Sequence, residues 1–384
     1  MKRILEVIAS MNPKSGGICE VIRNNAVVLK ARGVALEVVC FDEPDAEFLK
    51  RDNFPIYALG KPYRVYAYHP HLQKWLKENL ERYDMVTIHG LWLYNSYGTF
   101  RAWKKYKKTH AVYPALRVAP HGMLDPYFQK AKDRKLKALR NYFFWKLIES
   151  KVVNGADEVL FTSEQEMLLA RQAFTPYKPK KERIIRYGIL QPPAYTDAMR
   201  TAFEGICPAV KNQNFILFLS RIHSKKGVDL LIKAYLKLKK ENRKMPKLVI
   251  AGPGMDSAYG KELEQLIGGD ETILFSGMLT GNVKWGAFYG CACFILPSHQ
   301  ENFGIAVAEA LACKKPVLIS KQVNIWREID RENGGIFDDD TEDGVYRMLR
   351  QWLMMNEEQK KEMGERAFSS YNKYFNLAEN NNYC

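Results

Sequence analysis

The chain has 384 residues, 47% of them hydrophobic and 26% charged, and carries a formal net charge of +15. That length exceeds what one ordinary core organises and points to two domains, while the composition excludes a disordered or fibrous chain. No apolar run approaches the ~20 residues that span a bilayer, and the seven cysteines are scattered without a paired framework or zinc spacing, so a reducing, cytoplasmic setting is expected.

Residues 4–9 are apolar apart from Glu6. They read as a first strand rather than a leader, because the run is short, Glu6 interrupts it and no cleavage region follows. The loop Ser15-Gly16-Gly17 comes next, then a helix to about residue 32 and a strand over 34–41. Glycines after a strand let the backbone approach a phosphate or sugar, although turns use glycine for positive φ regardless. The pattern is not the Gly-x-Gly-x-x-Gly dinucleotide fingerprint. Further strands are expected over 85–88, 117–119 and 158–162, with helical patterns between them. His89, in Ile88-His89-Gly90-Leu91-Trp92, and His121, in Pro120-His121-Gly122-Met123-Leu124-Asp125, each stand just past a strand. An imidazole there can donate to sugar oxygens or titrate near neutrality, and it can equally sit in a capped turn. Asp125 is a further candidate in the same loop.

Residues 101–151 hold fourteen Lys or Arg against three acids, which concentrates most of the excess charge. Within this stretch, 130–151 read as a basic, aromatic helix with Leu136, Leu139, Phe143 and Leu147 at i, i+3/4 spacing. Such a helix suits an anionic membrane surface near a lipid-linked acceptor, or a core-packed helix with a solvated lysine face. Basic residues among aromatics also occur on nucleic-acid surfaces, but nucleic acid is not expected as a partner.

The alternation breaks around 191–214, beginning at Gln191-Pro192-Pro193. The domains are therefore expected at 1–200 and 201–365, followed by a helical tail at 366–384 that packs back toward the first domain. Strands are expected over 215–219, 247–251, 272–275, 291–296 and 317–319, with a last helix over about 341–355. Cys291 and Cys293 point to one face of an apolar strand and read as core. The acidic clusters at 42–45 and 338–340 read as surface loops, not metal sites. Strands alternating with helices argue for an α/β fold with parallel sheets, whose ligands sit at the carboxyl ends of the strands.

Arg221 and the adjacent lysines Lys225 and Lys226 lie at such an end, in Leu219-Ser220-Arg221-Ile222-His223-Ser224-Lys225-Lys226-Gly227, where position alone does not choose between the two lysines. A fork of donors and a compact cation ahead of a helix suit a diphosphate. Glu301 and Glu309 are separated by seven residues in Pro297-Ser298-His299-Gln300-Glu301-Asn302-Phe303-Gly304-Ile305 and the Ala-rich helix that follows. Free amides at the helix start favour an anionic group, whereas carboxylates accept hydrogen bonds from hydroxyls. That combination is what a sugar nucleotide requires.

These motifs, in this order, resemble the retaining family-4 glycosyltransferases of GT-B fold. The resemblance runs from the first loop to about Pro316. It implies two Rossmann-like doubly wound domains facing each other across a cleft, and transfer of a sugar from a nucleotide-diphosphate donor, a UDP-sugar before a GDP-sugar, to a saccharide or lipid-linked saccharide hydroxyl. It further implies that Glu301 contacts the transferred sugar, Glu309 the ribose, and Arg221 and Lys226 the pyrophosphate. His121 would touch the sugar near the scissile bond, so the catalytic set is Glu301, His121, Arg221 and Lys226. Gly16, Gly17, Gly252, Met278, Asn302, Phe303, Gly304 and Ile305 would line the donor, and His89, Trp92 and Asp125 the acceptor side. No cofactor and no metal is expected. One departure is Tyr187-Gly188-Ile189, where many members carry Asn-Gly-Val or Asn-Gly-Ile. A glycan- or lipid-binding protein on the same scaffold is the alternative from another class; a pyridoxal-phosphate phosphorylase is the alternative among enzymes.

Overall fold

In the computed structural model the chain forms two compact units, Met1–Tyr187 and Gly188–Asn380. The structure describes residues 1–15, 17–63, 66–130, 135–185, 188–241 and 245–380.

The first unit is built on seven strands: β1 Arg3–Val7, β2 Ala35–Cys40, β3 Ile56–Ala58, β4 Met85–His89, β5 Ala115–Ala119, β6 Glu158–Phe161 and β7 Glu182–Ile184. They pair in parallel in the order β3-β2-β1-β4-β5-β6-β7. Ile4, Leu5, Val86, Ile88, Leu116 and Val118 are fully buried on successive positions of the central strands. Apolar side chains on both faces are the mark of a sheet covered on both sides by helices. The strand order reverses between β1 and β4, which is where open α/β sheets place their ligands.

The second unit has six strands: β8 Phe215–Leu219, β9 Lys247–Ala251, β10 Ile273–Gly277, β11 Cys293–Leu296, β12 Val317–Ser320 and β13 Gly335–Asp338. Their order is β10-β9-β8-β11-β12-β13, again all parallel, with the reversal between β8 and β11. Each unit is thus doubly wound and Rossmann-like. Cys291 and Cys293 are buried in its core as expected. The strands that sequence patterning misses, β3, β7 and β13, lie at sheet edges, where half-buried side chains give no continuous apolar run.

The division between units falls earlier than the expected 200/201. Helix Asp197–Ile206 buries Met199 and Phe203 and packs closely on helix Gly281–Gly290 of the second unit. A Cβ on Gly286 would stand 2.1 Å from the Met199 carbonyl oxygen. The polar composition of 191–214 signals a linker, but the whole stretch belongs to the second unit, and this helix–helix contact anchors its middle part there. Helix Glu357–Ser370 likewise runs through the expected 365/366 limit, and Tyr371 and Phe375 are buried beyond it. Among the described residues, no helix is long and apolar enough to cross a membrane.

Candidate active site

In the second unit, the loops after β8 and β11 are drawn together because those strands are neighbours. The amide of His299 and the hydroxyl of Ser298 both donate to the Lys225 carbonyl oxygen, at 2.8 and 3.0 Å. Gly227 permits this approach: its φ is +64°, and a Cβ would stand 2.2 Å from the Pro297 carbonyl oxygen. The result is that Lys226 Nζ donates to Glu301 Oε2 at 2.5 Å, with the lysine side chain 11% exposed. Glu301 is fixed through its backbone, donating to the Gln322 carbonyl at 3.0 Å and accepting from the Asn324 amide at 2.9 Å.

Gly304, at φ +72°, caps helix Ile305–Ala312 in the left-handed region that favours glycine. Among the described residues the amides of Gly304, Ile305 and Ala306 make no backbone hydrogen bond, which leaves the positive end of the helix open. Phe303 is buried edge-on against Phe375, and Asn302 Oδ1 accepts from Asn324 Nδ2 at 3.3 Å. One turn on, Glu309 Oε1 accepts from Lys284 Nζ at 2.7 Å. Burial pushes the Glu309 carboxyl above its ordinary range, and Lys284 pulls the other way. Arg221 is exposed and, among the described residues, has no ion pair or side-chain hydrogen bond. At the ends of β9 and β10, the Gly252 amide donates to the Gly277 carbonyl at 2.8 Å, and Met278 beyond it is exposed.

In the first unit, strand register places Glu6, His89 and His121 together. Glu6 pairs with Thr87, two residues before His89, and His89 pairs with Ala119, two residues before His121. A two-residue step keeps side chains on one face of a sheet, which sets Glu6 beside His89, while His121 follows the end of β5 in a turn at φ +52°. Glu6 Oε2 lies 2.6 Å from His89 Nε2, and His89 Nδ1 lies 2.8 Å from His121 Nε2. Both Glu6 and His89 are buried. Burial, then the neighbouring His89 ring, holds His121 well below the ordinary imidazole range.

The loops around these histidines are held by two other buried carboxylates. Glu166 accepts from the Gly122 amide at 2.6 Å, and from the Thr162 amide and hydroxyl, each at 2.7 Å. Glu149 accepts from the Trp92 amide at 3.0 Å and the Ser96 hydroxyl at 2.7 Å. Trp92 itself has φ +72°. Asp125 is turned to the backbone, accepting from the Tyr127 amide at 2.8 Å, so it caps a turn. Gly17 precedes helix Ile18–Ala31 at an ordinary φ of −73°, and no left-handed turn demands glycine there. Gly16 lies outside the described residues.

One sequence expectation, that the acidic clusters at 42–45 and 338–340 are surface loops, needs correction. Asp42 is not a loose surface residue: it is buried, accepting from the Ser10 hydroxyl at 2.6 Å and the Met11 amide at 2.7 Å, which ties down the first loop. Asp340 is likewise engaged, 2.6 Å from His299 Nδ1. In sequence the basic stretch 130–151, of which 131–134 lie outside the described residues, leaves two readings open. Helix Lys135–Phe144 passes into a π-helical turn, Trp145–Glu149. That turn carries Trp145 and Glu149 inward and leaves Leu139, Phe143 and Leu147 exposed at 56%, 55% and 63%. Leu139, Phe143 and Leu147 are therefore surface residues and not core, and the side chain of Leu136 lies outside the described residues.

Sequence reasoning misses Glu6, Glu149, Glu166 and Lys284. Glu6 carries a signal that was available: a carboxylate inside a strand buried on both faces requires a partner. Lys284 carries none, because its pairing with Glu309 depends on how two helices pack.

Comparison with known proteins extends these observations. The description "Glycosyl transferases group 1" matches residues 200–370, and "Glycosyl transferase 4-like domain" matches residues 16–188. An uncharacterized glycosyltransferase of Methanocaldococcus jannaschii is 32% identical over 146 residues, which span 37% of each protein. The O-antigen chain mannosyltransferase C of Escherichia coli is 22% identical over 97% of this chain and 94% of its own length. Among solved structures, Anabaena HepE in complex with UDP and glucose superposes with a TM-score of 0.71 at 16% identity, covering 98% of this chain and 96% of that one. WaaG, a glycosyltransferase involved in lipopolysaccharide biosynthesis, gives a TM-score of 0.66 at 17% identity, with 96% and 95% coverage.

Proposed function

The chain belongs to the group 1 glycosyltransferases of GT-B fold, and from that premise we propose that it transfers a sugar from a nucleotide-diphosphate donor to a hydroxyl acceptor with retention at the anomeric carbon. The observation that carries this reading is the pair of carboxylate–lysine contacts, Lys226–Glu301 and Lys284–Glu309, on either side of the open start of helix Ile305–Ala312. The helix amides, Lys226 and the exposed Arg221 suit a diphosphate, while Glu301 and Glu309 suit the hydroxyls of sugar and ribose. His121 contributes a contact to the transferred sugar.

In the proposed step the bond from the anomeric carbon to the β-phosphate oxygen breaks. The acceptor oxygen bonds to that carbon on the same face, and the departing phosphate takes the acceptor's proton. Arg221, Lys226 and the helix amides stabilise the charge that develops on the leaving diphosphate. Because these groups supply positive charge, the reading invokes no divalent cation.

A UDP-sugar is the first donor to test, supported by HepE having been solved with UDP and glucose. The E. coli relative's O-antigen activity supports a saccharide or lipid-linked acceptor in glycan assembly. The exposed stripe Leu139, Phe143 and Leu147, with its basic surroundings, suits an anionic lipid surface on the cytoplasmic side. Incubating the purified chain with a panel of UDP-, GDP- and ADP-sugars tests the reading. Hydrolysis or transfer from one of them, lost in Glu301→Gln, is expected. If no donor turns over and none binds, the reading fails.

A further inference from the structure

We propose that Asp340 is a positioning residue for Glu301: its carboxylate ties the side chains of His299 and Gln322 together, and the backbones of their two loops then hold Glu301 in one orientation. The inference rests on the reading that Glu301 contacts the transferred sugar. Every group in it belongs to the second unit.

Strand order brings the parts together. β11, β12 and β13 are consecutive in the sheet, so the loops at their carboxyl ends are neighbours. The β11 loop carries His299 and Glu301, the β12 loop carries Gln322 and Asn324, and Asp340 stands two residues past β13. Glu301 joins the first two loops. Its amide donates to the Gln322 carbonyl at 3.0 Å, its carbonyl accepts from the Asn324 amide at 2.9 Å, and it pairs with Val323 in an isolated parallel bridge. A single bridge with no ladder beside it opens readily unless the two loops are tied elsewhere.

Asp340 is that tie. Its Oδ2 lies 2.6 Å from His299 Nδ1, and the carboxylate also takes a hydrogen bond from the Gln322 side chain. Burial pushes the Asp340 carboxyl up, yet the hydrogen bond from His299, with a smaller one from Gln322, brings it below its ordinary range. Near neutral pH it is therefore ionised. An ionised carboxylate only accepts, so His299 Nδ1 carries a hydrogen. The same contact, aided by Asp229 on the first turn of helix Val228–Glu241, raises His299 above the ordinary imidazole range against the effect of burial. Such charge-assisted bonds are about twice as strong as neutral ones. The His299 amide donates in turn to the Lys225 carbonyl at 2.8 Å. Asp340 is thus linked in one direction to the loop of Lys226, and in the other to both sides of the bridge at Glu301.

The test is amide hydrogen exchange of the full chain without ligand, followed by mass spectrometry. In Asp340→Ala, and independently in His299→Ala, the peptides that contain Glu301 and Asn324 are expected to exchange about tenfold faster, while those of β8 and β9 keep the wild-type rate. His299→Asn, whose side-chain nitrogen falls where Nδ1 stands, is expected to keep most of the protection. Wild-type exchange at Glu301 and Asn324 in both alanine variants overturns the proposal. So does faster exchange spread evenly over the second unit, which is lost stability and not positioning. Kinetics with UDP-glucose separate this from the functional reading: Asp340→Ala is expected to lower kcat about tenfold, with KM and UDP affinity within about twofold of wild type. If exchange responds as expected and kcat does not move, the positioning of Glu301 by Asp340 stands and the placement of Glu301 at the sugar falls.

Discussion

Lys226 Nζ and Glu301 Oε2, 75 residues apart in sequence, lie 2.5 Å from one another and share one charge pair at the start of helix Ile305–Ala312. A nucleoside diphosphate that takes up Lys226 must draw it away from Glu301. On the proposed reading the carboxylate is both a sugar ligand and a competitor for the lysine. Replacing each partner should move nucleotide affinity in opposite directions. Lys226→Ala removes a charge-assisted donor and is expected to weaken UDP binding roughly 10- to 100-fold. Glu301→Gln removes the competitor and is expected to tighten UDP about threefold, while transfer falls by about two orders of magnitude. Isothermal titration with UDP and turnover of the matched UDP-sugar measure both. Weaker UDP binding in Glu301→Gln would overturn the competition.

Lys284 does for Glu309 what Lys226 does for Glu301, and its removal has a sign that pH reveals. Burial raises the Glu309 carboxyl above its unfolded value while Lys284 opposes that rise. Without Lys284 the ionised carboxylate is buried with no counter-charge. The cost is therefore absent below the unfolded carboxyl range and grows as pH rises through it. Lys284→Met is expected to lose about 3 kcal/mol of stability near pH ~8 and little near pH ~4.5, read by denaturant unfolding. Equal losses at both values would show that Lys284 contributes through packing on Trp285, whose ring it approaches at 4.1 Å.

How much of this was legible beforehand depends on whether a residue's role is local or acquired in packing. The strands β8 and β9 stand where uninterrupted apolar runs between turn signals place them. Strand–loop–helix order points to the loops that carry Glu301, Glu309 and Arg221, because loops at the carboxyl ends of such sheets face ligands; the choice of these glutamates, and of Lys226 over Lys225, rests on the family resemblance. The partners of these residues were not legible. Glu6 reads as an interruption in a strand until β1 is known to lie beside β4. Glu149 reads as one acid in a basic helix until the π-helical turn carries it inward. Short-range pattern points to the groups proposed to meet ligand, and register identifies the groups that hold them.

Glu149 offers the clearest pH test of that inner layer. Its carboxyl is buried and pushed up to about 7, chiefly by desolvation, against the pull of the Ser96 hydroxyl and Trp92 amide. The folded state therefore holds a proton that the unfolded state releases near its ordinary value. Stability from this group is fully present at low pH and is lost as pH rises toward and through 7. Glu149→Gln keeps both contacts, since the amide oxygen accepts from Trp92 and its nitrogen donates to Ser96. The variant is expected to match the wild type near pH ~5 and to be more stable by about 1–3 kcal/mol near pH ~8. A variant less stable than the wild type near pH ~8 and equal to it near pH ~5 would mean that the negative charge itself holds the Trp92 turn.

The last prediction concerns the exposed face of helix Lys135–Phe144 and the turn that follows it. Leu139, Phe143 and Leu147 are each more than half exposed. On helix Tyr94–Thr109, Arg101, Lys104, Lys105 and Lys108 line a groove of about 230 Å³ together with Lys151. Apolar side chains that insert and cations that meet phosphate are the two parts of interfacial binding, and each basic residue near an anionic surface is worth about 1 kcal/mol. The chain is expected to co-sediment with phosphatidylcholine vesicles containing phosphatidylglycerol and not with phosphatidylcholine alone. Raising salt from ~0.1 to ~0.5 M should release it, because the electrostatic part is screened. Lys104→Glu with Lys105→Glu should reduce binding at low salt, and Leu139→Glu with Phe143→Glu should abolish it, while hydrolysis of a soluble nucleotide-sugar stays at the wild-type rate. Binding to neutral and anionic vesicles alike, or to neither, would remove the lipid surface from the proposed function and leave the sugar-nucleotide site untouched.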